Sequence, residues 1–294
     1  MEKKNGRATL GVITAMLIFA TIGIFREYTP LPSGLLAMSR GLIGAGFLFL
    51  ITLFSKKQAD QKVSKKSFVM LAISGIMIGI NWILLFEAFI YTTVPIATLS
   101  YYMAPIFVIF GASVVLGEKL TPTKIVCAFV AFLGLVLVAF GSDNGGAQTG
   151  KNHPLGIILG VGAAALYAGD IIINKVVDGV TSEKRTLIQL FAAGLVCIPY
   201  TLFAEDVASV KFTALSVVLL LVMGIFHTGV AYTVYFGSMK KLRAGTVALL
   251  SYIDPVGSVI LALLFIKGSA LTAMGWVGAV LVLGAAVVSE MKKE

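Results

Sequence analysis

LSYYMAP at residues 99–105 returns as LLSYIDP at residues 249–255. Sliding the chain by 150 positions pairs Gly79 with Gly229, Phe86 with Phe236, Leu99 with Leu249, Tyr102 with Tyr252 and Pro105 with Pro255. One inserted residue later, LTPTKIVCA at 120–128 meets LTAMGWVGA at 271–279. An earlier offset of 145 aligns LGVI at 10–13 with LGII at 155–158. Apolar runs, gaps and prolines fall in step, so the chain carries one unit twice.

Composition says what kind of unit this is. The 294 residues are 58% hydrophobic and 13% charged, where soluble domains carry about 25% charge. Apolar runs long enough to cross the ~30 Å hydrocarbon core as helices recur from end to end. They do not alternate as the strands of a membrane barrel would. Spans are predicted at 9–25, 34–54, 68–89, 94–115, 123–141, 155–173, 186–203, 214–237, 245–266 and 270–290. The first follows Lys3, Lys4 and Arg7 but no small-residue cleavage site, so it reads as a retained span rather than a signal peptide.

Charge in the gaps tests this list. With the N-terminus cytoplasmic, the inner segments hold eighteen Lys and Arg residues and the outer ones four: Arg26, Lys151, Lys211 and Lys267. The positive-inside rule therefore predicts ten spans with both termini in the cytoplasm. The net charge of +9 is accounted for by orientation, and no nucleic-acid partner is expected. A Gly- and Asn-rich linker, SDNGGAQTGKNHP at 142–154, follows the fifth span. It divides the chain into a first five-helix repeat at 1–141 and a second at 155–294. Five is odd, so the second repeat enters the membrane from the opposite side. The expected fold is an all-α membrane protein of ten transmembrane helices in two inverted repeats. In that design the binding site lies near the midplane, where the repeats meet.

YTTVPIATLSYYMAPIFVIFGASVVLGEKLTP at 91–122 and LRAGTVALLSYIDPVGSVILALLF at 242–265 resemble the EamA branch of the drug/metabolite transporter superfamily. The likeness runs over nearly the whole chain and includes an arginine in span two, Arg40. It implies ten helices in two inverted repeats around a central cavity, moving small metabolites such as amino acids or organic cations without ATP. Two features depart from the pattern. IKGSALT at 266–272 leaves Glu118 of the GEKLTP turn without a counterpart, and Glu87 stands where an uncharged residue is usual.

Asp254 is the residue that most needs explaining. It lies about ten residues from the inner start of span nine, near mid-bilayer at 1.5 Å per residue. A charged carboxylate there costs ~2.5–3.5 kcal/mol on insertion scales, which makes it a candidate to bind cargo or carry a proton. Pro255 beside it is expected to free the carbonyl of Ser251, and Pro105 that of Tyr101. Tyr101, Tyr102 and Tyr252 cluster around these two breaks, and tyrosine faces attract cations.

Other intramembrane polar groups are candidates for substrate binding. Glu87 and Arg40 lie at similar depth and are expected either to pair or to read an ammonium and a carboxylate. Asn81 and Trp82 lie deeper on span three, and His227 sits mid-span in span eight. Asp170 lies near Lys175 and is either a local ion pair or, with Asp254 and Glu87, a proton-coupling candidate. GxxxG spacings at 75–79 and 156–160 favour close helix packing. Cys127 and Cys197 read as small buried hydrophobes. The sequence contains no ATP-binding loop, no HExxH or GxSxG, and no Cys/His cluster. No catalytic group, metal or cofactor is expected.

The expectation is a secondary transporter of the cytoplasmic membrane, monomeric or homodimeric, working by alternating access on a small cationic or zwitterionic solute amid membrane lipid. The alternatives are a lipid or lipid-carrier flippase, and a membrane-embedded enzyme using Asp170, His227 and Asp254. A lateral opening lined by basic residues would mark the flippase.

Overall fold

The computed structural model describes residues 2–29, 31–54, 62–91, 97, 100–140, 142–143, 152–265 and 270–291. The start of predicted span four, most of the 142–154 linker, the 55–61 part of the inner loop and IKGS of IKGSALT lie outside the described residues. The helices are α1 (Glu2–Ala20), α2 (Ile22–Glu27), α3 (Ser33–Phe54), α4 (Lys65–Tyr91), α5 (Ala104–Leu116), α6 (Pro122–Phe140), α7 (His153–Val176) and α8 (Ser182–Ala204). They continue with α9 (Ala214–Val222), a π-helical segment (Met223–Val230), α10 (Ala231–Met239), α11 (Ala244–Leu250), α12 (Ile253–Phe265) and α13 (Ala273–Met291). One two-residue strand pair, Ser142–Asp143 (β1) with Ala270–Leu271 (β2), is antiparallel.

Five helical segments are long and apolar enough to cross a membrane: Ser33–Phe54, Lys65–Ala88, Pro154–Val176, Ser182–Ala204 and Ala214–Met239. Shorter apolar helices surround them. Large apolar side chains cover the outside, with Phe203 91%, Phe54 87% and Val114 86% exposed. A surface of that kind is stable against hydrocarbon and aggregates in water. The chain is a multi-pass membrane protein.

Among the described residues four predicted spans are interrupted: one, four (at 102–103), eight and nine. Span one breaks at Thr21, whose hydroxyl donates to the Ile18 carbonyl at 2.7 Å. Span eight widens to a π-helix where Thr228 donates its hydroxyl to the Met223 carbonyl at 2.8 Å. Span nine breaks at Ser251–Tyr252, between α11 and α12. The prolines mark the breaks without sitting in them. Pro255 and Pro105 fall in the first turns of α12 and α5, where a missing N–H costs nothing. The carbonyl of Ser251 is accordingly not free, since it accepts the Asp254 N–H at 3.3 Å.

The main packing pairs are α3 on α8, α6 on α13, α5 on α11, α4 on α7, α1 on α10, α5 on α7, α1 on α12, α4 on α8 and α3 on the π-segment. Exchanging each span with the fifth after it maps this set onto itself: α4 on α7 becomes α10 on α1, and α5 on α7 becomes α12 on α1. Glycines permit the closest crossings. A Cβ on Gly41 would lie 2.9 Å from the Gly194 backbone, and one on Gly75 2.3 Å from the Gln189 carbonyl.

Contacts close both ends of the bundle. At one, Glu118 meets Ala244 and Gly245, and Lys240 pairs with Asp178 at 2.7 Å. At the other, Glu205 accepts the N–H groups of Gly34 and Leu35, and the phenol of Tyr200 donates to Glu87.

Candidate functional site

The interior between these ends is aromatic. Tyr102 and Tyr252 have ring centroids 6.3 Å apart, and Trp82 and Tyr232 6.2 Å. Each pair is separated by 150 positions in the sequence. Two equivalent residues of a repeat touch only where the axis relating the repeats passes between them. Both pairs therefore stand on that axis.

Asp254 lies beside it. Being second in α12, just past the break, its side chain leaves the helix where spans four and nine cross. It is half-buried. Its Oδ2 accepts from the Tyr102 hydroxyl at 3.4 Å, and its Oδ1 from the Ser258 hydroxyl at 3.4 Å. The Ser258 hydroxyl also lies 3.2 Å from the Ala20 carbonyl. It has one proton, so it serves one acceptor at a time. Among the described residues no Lys, Arg or His forms an ion pair with Asp254.

Aromatic rings extend from this carboxyl on two sides. The Tyr101 ring lies 5.4 Å from Tyr102 and 5.9 Å from Tyr167. The Tyr167 hydroxyl meets that of Tyr235 at 2.8 Å. Phe19 stacks at 5.0 Å on Tyr232. Tyr101, Tyr102, Tyr167 and Tyr232 are each only half-buried, although neighbours from several helices ring them. The group can surround a cationic headgroup with π-faces and hydroxyls and set one carboxylate against it.

The remaining candidates divide. Asn81 donates to the Ala163 carbonyl at 2.6 Å and lies beside Tyr101. Arg40 stacks 5.2 Å from the Trp82 ring centroid and donates from Nε to the Thr228 hydroxyl at 3.2 Å. Glu87 is elsewhere, with Tyr200, so the expected Arg40–Glu87 pairing is not formed. Arg40 meets α4 at Trp82, five positions, or about 7.5 Å, before Glu87. His227 lies 2.7 Å from the Thr21 hydroxyl through Nε2 and packs on Phe25 at 4.6 Å, against the break in span one.

Asp170 is not the local ion pair with Lys175 that its position suggests. It is buried and accepts from the Ser74 hydroxyl, from Asn174 at 2.8 Å and from Gln189 at 3.2 Å. Arg185 closes this network, donating to the Asn174 carbonyl at 2.7 Å and the Val177 carbonyl at 2.7 Å. Lys175 donates instead to the Met239 carbonyl. Four directed donors and acceptors from three helices make this a structural node of α4, α7 and α8.

Sequence reasoning passed over Tyr167, Tyr232, Tyr235 and Ser258. The available signal was a phenol in the middle of an apolar span, away from any proline, and for Ser258 a hydroxyl one turn past Asp254.

A family model described as the EamA-like transporter family matches the chain twice, over residues 6–140 and 154–291. An uncharacterized transporter YxxF of Bacillus subtilis is 28% identical over 90% of this chain and 83% of its own length. Protein RarD of Salmonella typhi is 24% identical over 90% of this chain and 88% of its own. One solved crystal structure superposes with a TM-score of 0.83 at 21% identity, covering 96% of both chains, and shares the fold.

Proposed function

The chain belongs to the EamA-like transporter family, and on that premise we propose a secondary transporter that moves a small polar amine or zwitterion by alternating access. Family and relatives point to transport rather than enzymatic chemistry. A small-molecule cargo and a lipid environment follow from the same membership.

The finer reading has several supports. The double family match and the exchange symmetry of the packing favour two five-helix repeats, 1–141 and 155–294, joined by the 142–154 linker. Eighteen inner basic residues against four outer ones favour ten crossings of the cytoplasmic membrane with both termini inside. Inverted repeats bind cargo where the two halves meet, and the aromatic group around Asp254 is the site this reading assigns to it. Spans one, three, four, six, eight and nine all supply side chains to it.

One observation carries the substrate class. Asp254 is a half-buried carboxyl bonded to Tyr102 and near Tyr101 and Tyr232, with no ion-pairing cation among the described residues. Such a group is stabilised by a positive charge brought by the cargo or by a proton. Arg40, across Trp82 from Tyr232, adds a donor for the carboxylate of a zwitterion.

The test is a thermal-shift screen of the purified protein against amino acids, polyamines and choline-like cations at two pH values. Cationic or zwitterionic compounds are expected to raise the Tm of the wild type and not of Asp254→Asn. Equal protection of both proteins removes Asp254 from the binding site.

A further inference from the structure

We propose that Glu118, in the GEKLTP turn to which the transport reading assigns no role, is a clasp that holds the inner ends of spans four and nine together. The proposal rests on the alternating-access reading. It adds an element that favours the form in which these inner ends stay together.

The hinge is visible in the chain. Spans four and nine turn at 102–103 and 251–252, where Tyr102 and Tyr252 meet on the axis. Below this point the inner half-helices, α5 and α11, pack on one another. Opening toward the cytoplasm requires them to part.

Glu118 joins their tips. Gly117 adopts φ 66°, a left-handed conformation that suits glycine and ends α5. The Glu118 N–H turns back to the Ala112 carbonyl at 3.2 Å. Its carboxylate then reaches across, with Oε1 accepting the Ala244 N–H at 2.8 Å and Oε2 the Gly245 N–H at 3.4 Å. These N–H groups open α11 and have no partner within their helix. A carboxylate accepting them makes a charge-assisted contact. Lys124 and Lys175 lie close enough to feel the carboxylate. A cleft of about 500 Å³, lined by Leu116, Gly117, Glu118, Lys119, Thr121 and Arg243, lies beside it and admits water when the contact parts.

The second repeat has no acid at the matching position. The offset of 151 that aligns 120–128 with 271–279 puts Ser269 where the first repeat has Glu118. An inverted repeat built from identical halves would clasp both gates equally. Here the opposite end is held by a different contact, Glu205 on the Gly34 and Leu35 N–H groups, so the Glu118 clasp acts on the inner ends of spans four and nine only.

The experiment uses the full chain in lipid vesicles with Cys127→Ser and Cys197→Ser. One reporter cysteine is added at a time, Val247→Cys in α11 or Ile260→Cys in α12. Labelling rates with a membrane-impermeant maleimide are read from each side. Glu118→Gln is expected to speed labelling of the inner reporter about tenfold and to slow the outer one. Ala244→Pro removes the N–H from the other partner, at a first helical position that proline favours, and is expected to reproduce the shift. Lys119→Gln is expected to move neither rate. Unchanged rates in the first two variants overturn the clasp. So does a rise at both reporters together, which is what general loosening produces. The reporters need no cargo, so failure here leaves the Asp254 thermal-shift test standing, and failure there leaves this one standing.

Discussion

The hydroxyl of Tyr252 donates to the main-chain carbonyl of Tyr102, its counterpart 150 residues earlier, at 3.2 Å. The bond ties the two helix breaks to each other at the centre of the molecule. Tyr252→Phe keeps the ring and removes only this bond. It is expected to cost ~0.5–1.5 kcal/mol, read as a lower Tm in detergent, with ligand protection retained. Tyr102→Phe is expected to do the reverse. It takes a hydroxyl from Asp254 and weakens ligand protection more than it lowers the Tm.

Flux through the protein tests the proton role of Asp254. In reconstituted vesicles the wild-type rate is expected to change with pH across the neutral range. The Asp254→Asn rate is expected to be flat, because the amide cannot exchange a proton. An Asn variant with unchanged pH-dependent flux removes Asp254 from coupling.

Close helix crossings predict opposite outcomes for two glycines. In Gly75→Ala the new Cβ meets the Gln189 backbone at 2.3 and 2.7 Å, so α4 and α8 must separate. A loss of ~1–3 kcal/mol is expected. Gly46 has nothing within 4 Å of the same atom. Gly46→Ala is expected to be neutral or to gain up to ~1 kcal/mol through helix propensity. Thermal melts of the pair in one detergent decide it.

Arg185 holds the node around Asp170. Arg185→Leu leaves the Asn174 and Val177 carbonyls without the guanidinium and removes the nearest positive charge from a buried carboxylate. A loss of ~3–5 kcal/mol is expected, enough to depress the yield of folded protein in size-exclusion chromatography. Yield and Tm equal to wild type would mean that the node carries little stability.

Which polar residues stand out in the apolar runs was legible in the sequence, and which neighbours each would meet was not. Arg40 and Glu87 are expected partners, yet one stacks on Trp82 and the other takes the phenol of Tyr200. Asp170 has a lysine five positions on, and its partners come instead from Ser74 and Gln189 on two other helices. The prolines located the breaks in spans four and nine to within a turn. The breaks fall just before them because a proline fits the first turn of the helix that follows. Tyr167 and Tyr232 carried no local mark, since a single phenol in an apolar run reads as packing until its neighbours are known.

The sequence by itself determined a helical membrane protein, a unit used twice, and an acid kept where an acid is costly. Those properties follow from apolar length, from offset identities and from the price of charge in hydrocarbon, all readable along one dimension. Only the tertiary structure decided that Tyr102 faces Tyr252, that Trp82 faces Tyr232, and that Glu118 reaches Ala244. Each is a contact between helices far apart in the chain. Which face a helix turns inward depends on how side chains from several others fill the space beside it.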